Sequence, residues 1–287
     1  MNNYKKYFTK EAIKKYIAQV DDKLMKQREQ LKDVTAVIYH VGDDKASEIY
    51  LRNKIALATK FDINIQVLNF PTKTSIQTFT DLVQFNQQYS ASVIPQMVQF
   101  PVPWKSFDLN TLGLGARDID GLSSGSIVTP CTPQGIMDFI KYIYEQEGES
   151  PEDKNIVIVN RSDIVGNPLY KLALNADMNV TQLHSHTSID KRQQHFNNAD
   201  IIVSAVGIPN LISSNDLCEC KSNLMVFDVG INHISIGEEK KLVGDVAFNL
   251  INDSDIAVTP VPGGVGLLTT RYFIKNILSI ASYFQNK

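Results

Sequence analysis

Between residues 11 and 100 the chain repeatedly switches between a helical and an extended hydrophobic pattern, and this alternation restricts its fold more than any other feature. Ile13, Tyr16, Ile17, Val20 and Leu24, with charged residues between them, follow a helical period over Glu11–Lys32. Val34–Val41 is a short β-branched run closed by Gly42-Asp43-Asp44, which predicts a strand and a turn. A helix over Ala46–Phe61, a strand over Asn64–Phe70, a helix over Ser75–Tyr89 and a strand over Ser92–Phe100 continue the series. Strands separated by helices favour a mostly parallel sheet covered by those helices. From 101 to 135 the pattern breaks at Pro101, Pro103, Pro130 and Pro133, with Gly113, Gly115, Gly121 and Gly125 among them. A helix over Gln134–Glu147 and the polar turn GESPEDK lead into a second series. It has a strand at Asn155–Val159, a helix at Val165–Ala176, and strands at Asn179–Leu183, Ile201–Ala205 and Leu224–Val229. Leu267–Phe284 closes the chain as an amphipathic helix. The expected fold class is α/β, with two α/β domains, and 287 residues suit that number. The expected boundaries are 1–129 plus 268–287 for the first domain and 130–267 for a second, Rossmann-like one.

Composition narrows the classes. With 43% hydrophobic and 21% charged residues the chain is not of the disordered kind. A net charge of -3 supplies no general electrostatic reason to bind nucleic acid or an anionic membrane. No apolar run reaches the ~20 residues that span a bilayer. The opening MNNYKKYFTKEAIKKY is basic but lacks the apolar stretch of a secretory signal, so a cytoplasmic location is expected. Cys131, Cys218 and Cys220 cannot build a disulfide framework, and Cys218-x-Cys220 has no second pair to complete a metal site. The thiols are read as incidental, and no metal is expected.

An open parallel sheet binds ligands beyond the carboxyl ends of its strands. In the second series the first such turn is Val159-Asn160-Arg161-Ser162-Asp163-Ile164-Val165-Gly166, a polar turn with a glycine where a helix begins. It lacks G-x-G-x-x-G. The next strand ends in His184-Ser185-His186-Thr187, with no carboxylate for a ribose 2′-hydroxyl before Asp190. Arg161 is suited to clamping a 2′-phosphate, which favours NADP over NAD; equally, it and the histidines suit a solvated loop. Ala205-Val206-Gly207 and Asp228-Val229-Gly230-Ile231 end strands in glycine turns that let a flat ligand approach.

In the first series Tyr50 and Lys54 lie four apart on one helix face. A lysine beside an aromatic ring can act as an acid or base if its pKa is lowered, or it can simply be solvated. Gln99 sits at an apolar strand end, where a buried amide must find partners. Asp118 and Asp120 share a side if their segment is extended, and a carboxylate there could pair with an amino-pyrimidinone edge; Asp120-Gly121 is also an ordinary turn dipeptide.

Eight segments then occur in order: Ser47-Glu48-Ile49-Tyr50-Leu51-Arg52-Asn53-Lys54, Val98-Gln99-Phe100-Pro101-Val102-Pro103, Asp118-Ile119-Asp120-Gly121, Pro130-Cys131-Thr132-Pro133-Gln134-Gly135, Arg161-Ser162-Asp163-Ile164-Val165-Gly166-Asn167-Pro168, Asp228-Val229-Gly230-Ile231-Asn232, Gly244-Asp245-Val246 and Thr259-Pro260-Val261-Pro262-Gly263-Gly264-Val265-Gly266. Together they resemble the bifunctional methylenetetrahydrofolate dehydrogenase/methenyltetrahydrofolate cyclohydrolase family, over nearly the whole chain. The resemblance implies tetrahydrofolate derivatives bound in a cleft between two domains, NADP on the second, a homodimer, and a place in one-carbon metabolism and purine biosynthesis. It implies that Lys54 is the cyclohydrolase acid/base, that Gln99 sets its state and position, that Tyr50 stacks on the folate, and that Asp120 binds the pterin. Val98, Phe100, Pro262, Gly263 and Gly264 would lie against the substrate. Asn160, Arg161, Ser162, Ser185, Val206, Gly207 and Ile231 would meet the cofactor, with Arg161 and Ser185 on its 2′-phosphate. Three positions depart from the family pattern. Asn160 stands where glycine is common, Leu267 where proline is expected, and Leu122–Thr129 is a short connection. A dehydrogenase with a weakened cyclohydrolase step, another two-domain NADP-dependent dehydrogenase, and a non-catalytic binding protein are the alternatives.

Overall fold

The computed structural model describes residues 3–43, 45–89, 94–99, 107–236, 239–247 and 255–287, without the side chains of residues 45–47, 50, 88, 89, 99, 236, 239 and 240. The chain opens with helix α1 (Lys10–Glu29), strand β1 (Val34–Val41), helix α2 (Lys45–Lys60), strand β2 (Ile63–Phe70), helix α3 (Ile76–Tyr89) and strand β3 (Gln96–Gln99). The three strands form a parallel sheet in the order β2-β1-β3. β1 is the centre because VTAVIYHV can be buried on both faces, whereas β2 alternates buried and exposed positions as an edge strand does. On one face Ala36, Ile38 and Met97 pack with Leu51, Leu57 and Ala58 of α2 and with Phe273, Ile277 and Leu278. On the other, Val37, Tyr39, Val41 and Val98 pack with Phe79 and Val83 of α3 and with Leu112 and Leu114.

Helix α4 (Cys131–Gln146) starts three residues before its expected position, since a proline, here Pro133, is tolerated in a first turn. After it come β4 (Asn155–Val159), α5 (Gly166–Leu174), β5 (Asn179–Leu183), α6 (Ile189–Asn198), β6 (Ile201–Ser204), α7 (Ser214–Leu217) and β7 (Met225–Asp228). A hairpin of β8 (Asn232–Ile236) and β9 (Glu239–Val243), the short β10 (Ala257–Val258) and α8 (Val265–Gln285) complete the chain. The second sheet is parallel throughout, in the order β10-β7-β6-β4-β5. Strand order reverses at β4, whose neighbours are β5 on one side and β6 on the other, and that is the switch point at which such sheets take ligands. The α/β class with two parallel sheets is as expected.

Helix α6 was not expected. Of IDKRQQHFNN only Phe196 is buried, so its hydrophobic period has a single landmark; Ser188, whose hydroxyl accepts the Lys191 N–H, starts it. The hairpin, α7 and β10 were likewise not expected. The strand expected from Ser92 starts at Gln96, and residues 90–93 and 100–106 lie outside the described residues.

The chain divides into a five-stranded unit, residues 1–18 plus 132–269, and a three-stranded unit, residues 19–131 plus 270–287. This differs from the expected boundaries at the N-terminus, which was assigned to the first domain. Aromatic packing explains the difference. Tyr4 meets Tyr144 at 5.7 Å between ring centroids, Phe8 meets Phe227 at 5.2 Å, and Tyr16 meets Phe139 at 4.7 Å. Tyr7 donates to the Glu147 carboxylate at 2.5 Å.

Candidate active site

In the three-stranded unit, Leu51, Lys54 and Leu57 recur at three-residue spacing on α2, so the lysine enters the same apolar face as the leucines. Lys54 is only 6% exposed. Its Nζ donates to Met97 Sδ at 3.2 Å and lies 4.9 Å from the centre of the Phe273 ring. Thioether and ring face are polarisable neighbours that tolerate a cation.

Asp118 and Asp120 have separate fates. Asp118 is buried, and its carboxylate accepts the N–H groups of Asp120 at 3.0 Å, Leu122 at 2.7 Å and Ser123 at 2.7 Å, with the Ser123 hydroxyl at 2.9 Å. It is consumed by its own turn. Gly121 is required there: at φ +72° an added Cβ would lie 2.7 Å from Val128 O. Among the described residues no donor reaches the Asp120 carboxylate. Burial pushes that carboxyl up to about 6 against the pull of the Lys54 charge, with Asp118 adding to the rise. Cys131, buried close by, has its thiol pushed up to about 12 by burial and by the Asp120 charge, so it stays protonated and unreactive.

Gln99 ends β3 opposite His40; its side chain, the side chain of Tyr50 on α2, and the whole of Phe100 lie outside the described residues. Val98 puts its side chain into the core beneath α3, which leaves only its main chain for a ligand. Pro262, Gly263 and Gly264 belong to the five-stranded unit: Pro262 is exposed, Gly263 has φ +110°, and Gly264 is buried where a Cβ would lie 2.6 Å from Pro260 O.

In the five-stranded unit most polar groups of the strand-end loops serve the loops. Asn160 Oδ1 accepts the N–H of Ser162 at 2.8 Å, the Ser162 hydroxyl at 2.6 Å and the N–H of Gly166 at 3.0 Å, while Nδ2 donates to Ala205 O at 2.5 Å. The side chain expected at a cofactor thus ties β4 to β6 at the switch point, and the Ser162 hydroxyl is drawn inward with it. Register pairs Val159 with Leu183, so the exposed Arg161 and Ser185 follow neighbouring strand ends. Asp245, wholly buried, accepts the N–H groups of Val206 at 2.7 Å, Gly207 at 3.0 Å and Ile208 at 3.0 Å, the Ser204 hydroxyl at 2.9 Å and Asn232 Nδ2 at 3.1 Å. Asp228 accepts the N–H groups of Gly230 at 3.0 Å, Asp245 at 2.9 Å and Val246 at 2.9 Å. Above this network apolar side chains stay in solvent, with Val206 38%, Ile208 50% and Ile231 60% exposed.

Met97, Phe273, Asp228 and Asp245 were not assigned from the sequence. Met97 stands two residues from Gln99 in one strand, a usable period-2 signal; Phe273 comes from α8, and no local pattern ties it to Lys54. Among the described residues no cluster of three metal-ligating side chains occurs, and no helix is long and apolar enough to cross a membrane.

Comparison with known proteins gives two family matches: the catalytic domain of tetrahydrofolate dehydrogenase/cyclohydrolase over residues 8–113, and the NAD(P)-binding domain of the same family over residues 130–285. The bifunctional protein FolD 2 of Pseudomonas syringae pv. tomato is 36% identical over 285 residues, covering 95% of this chain and 91% of that protein. The FolD crystal structure from Campylobacter jejuni, a methylenetetrahydrofolate dehydrogenase/cyclohydrolase, superposes with a TM-score of 0.81 at 28% identity, covering 94% of this chain and 97% of that one. The Trypanosoma brucei FolD structure, complexed with NADP and an inhibitor, superposes with a TM-score of 0.79 at 25% identity, covering 97% and 96%. With both of its domains matched in order, and relatives aligned over most of their length, the chain belongs to the tetrahydrofolate dehydrogenase/cyclohydrolase family.

Proposed function

We propose that the chain oxidises 5,10-methylenetetrahydrofolate with NADP+ to the methenyl form and then hydrolyses that product to 10-formyltetrahydrofolate. The observation that carries the reading is a lysine buried against a thioether and a ring, in the same electrostatic field as a carboxyl raised to about 6. The methenyl carbon is part of a delocalised cation, so a permanently charged neighbour would oppose its formation. In its neutral form the Lys54 amine does not, and it can accept a proton from water. Lys54 then takes a proton from the water that adds to the methenyl carbon and returns one to the ring nitrogen as the C–N bond opens; water is consumed and one proton is released overall. Asp120, whose carboxylate meets no donor among the described residues, faces the amino-pyrimidinone edge of the pterin, which supplies paired N–H donors. Tyr50 for stacking, Gln99 for positioning Lys54, and Pro262, Gly263 and Gly264 against the substrate follow the family pattern.

Residues of the five-stranded unit fit a dinucleotide. Val206 and Ile231 offer exposed apolar surface at strand ends, a Cβ added at Gly207 would find Asn232 Oδ1, at 4.0 Å, as its nearest contact among the described residues beyond its chain neighbours, and β5 ends without a carboxylate that would repel a 2′-phosphate. Arg161 and Ser185 would hold that phosphate, while Asn160 and Ser162 keep the turn beneath it in shape. When bound, the nicotinamide accepts the hydride from the methylene carbon. The homodimer and the supply of purine biosynthesis that the family resemblance implies belong to the same reading.

The test is the absorbance of purified protein given 5,10-methylenetetrahydrofolate with NADP+ or NAD+ in turn. Reduced cofactor should appear faster with NADP+, and methenyltetrahydrofolate should not accumulate. No reduction with either cofactor would overturn the dehydrogenase, and accumulation of the methenyl form would overturn the cyclohydrolase.

A further inference from the structure

Helix α8 contributes Phe273 to the surroundings of Lys54, and three residues later, on the same face, it contributes Asn276. Asn276 is 4% exposed in a helix whose neighbouring positions Ile274, Ile277 and Leu278 are fully buried core. An amide there is out of place unless its donors are used. They are used on one loop. Nδ2 donates to Ile119 O at 2.8 Å and to Thr129 O at 2.9 Å, with Cys131 Sγ at 3.4 Å. The loop between these two carbonyls carries Asp120.

Ile119 O and the Asp120 N–H belong to a single peptide group. Asn276 holds its oxygen, and Asp118 Oδ1 holds its hydrogen at 3.0 Å. Oxygen and hydrogen point to opposite edges of a planar unit, so the two bonds together stop that plane from rotating. The Ile119 N–H is in turn fixed to Gln96 O at 2.8 Å. The backbone leading into Asp120 is therefore set before any substrate arrives.

We infer that Asn276 is a positioning residue for Asp120: it clamps the peptide plane ahead of the carboxylate and so governs affinity for the pterin without touching it. The inference rests on the proposed role of Asp120. In N276A the KM for 5,10-methylenetetrahydrofolate should rise about 5- to 20-fold, with kcat and the KM for NADP+ within about twofold, as loss of substrate orientation predicts. The Asp120 carboxyl, followed by carbon NMR, should titrate lower than in the parent, because a loosened loop lets more water reach it. A folded N276A with an unchanged folate KM and an unchanged Asp120 titration overturns the inference. So does an equal rise in both KM values, the mark of a merely structural role. D120N separates the two readings. An unchanged folate KM in D120N sinks the role of Asp120, whereas a raised KM in D120N beside a normal one in N276A sinks only the role of Asn276. Should N276A fail to fold, the parent chain carries the test. Its Asn276 side-chain N–H resonances must shift as Asp120 titrates near pH 6, and resonances flat across that range overturn the clamp.

Discussion

Asp120 in the three-stranded unit and Asp228 in the five-stranded unit both have their carboxyls pushed up to about 6, chiefly by burial, yet their hydrogen bonding differs. Asp228 meets three backbone N–H groups, which pull its pKa down while the charge of Asp245 pushes it up. Its capacity is spent on its own loops, and Gly244 must be glycine because a Cβ there would lie 1.8 Å from Asp228 Oδ2. Asp120 is opposed only by the Lys54 charge, and among the described residues no donor reaches its oxygens. A perturbed pKa marks burial in both places. What separates scaffold from candidate chemistry is whether the group's hydrogen bonds are already satisfied.

The sharpest way to break the contrast is K54M, which keeps the apolar stem and removes the amine. Cyclohydrolase turnover should fall about 10³-fold while NADP+ binding is unchanged, the usual scale for losing a general acid/base. Undiminished 10-formyl product in a single-turnover assay would remove the chemistry from this unit. Next in size, D228N should cost about 3 kcal/mol in denaturant unfolding, since an amide nitrogen replaces an acceptor and leaves a buried N–H facing a donor. The same exchange at the other site should change sign. The Asp120 carboxyl has a folded pKa of about 6 against about 3.9 in the unfolded chain, so the protonated form stabilises the fold below pH 4 and this contribution is lost as pH rises through 6. At pH 8 D120N should therefore be more stable than the parent by about 1–2 kcal/mol, after discounting for partial exposure, and its stability should vary less between pH 4 and 6. Parallel losses in D228N and D120N would erase the distinction. The smallest expected effect is R161A, where NADP+ affinity should weaken about tenfold with NAD+ unchanged, as for one charge-assisted contact. Equal weakening of both cofactors in a titration would remove the 2′-phosphate from Arg161.

Legibility in the sequence followed the physics of each element. Val34–Val41, Asn155–Val159 and Asn179–Leu183 have the limits that their hydrophobic runs announce, because a strand in a parallel sheet is bounded by the turns its crossovers need. Helix α6 was invisible because a helix with one buried residue has no stripe to read. Lys54 was legible as a residue type at a spacing; its burial was not, since Phe273 reaches it from the far end of the chain. The Asn160 side chain clamps two strand ends, a use that no local pattern announces because it depends on Ala205 being adjacent.

By itself the sequence determined the α/β class, the two series of elements, and the ordered motifs that place the chain in its family, all of which depend on neighbours within a few tens of residues. Only the tertiary structure decided which polar side chains are already claimed. Hydrogen-bond satisfaction is settled by groups that meet in space: within one turn Asp118 is consumed while Asp120 meets no donor among the described residues, and the amide holding the peptide plane between them comes from α8, more than 150 residues away.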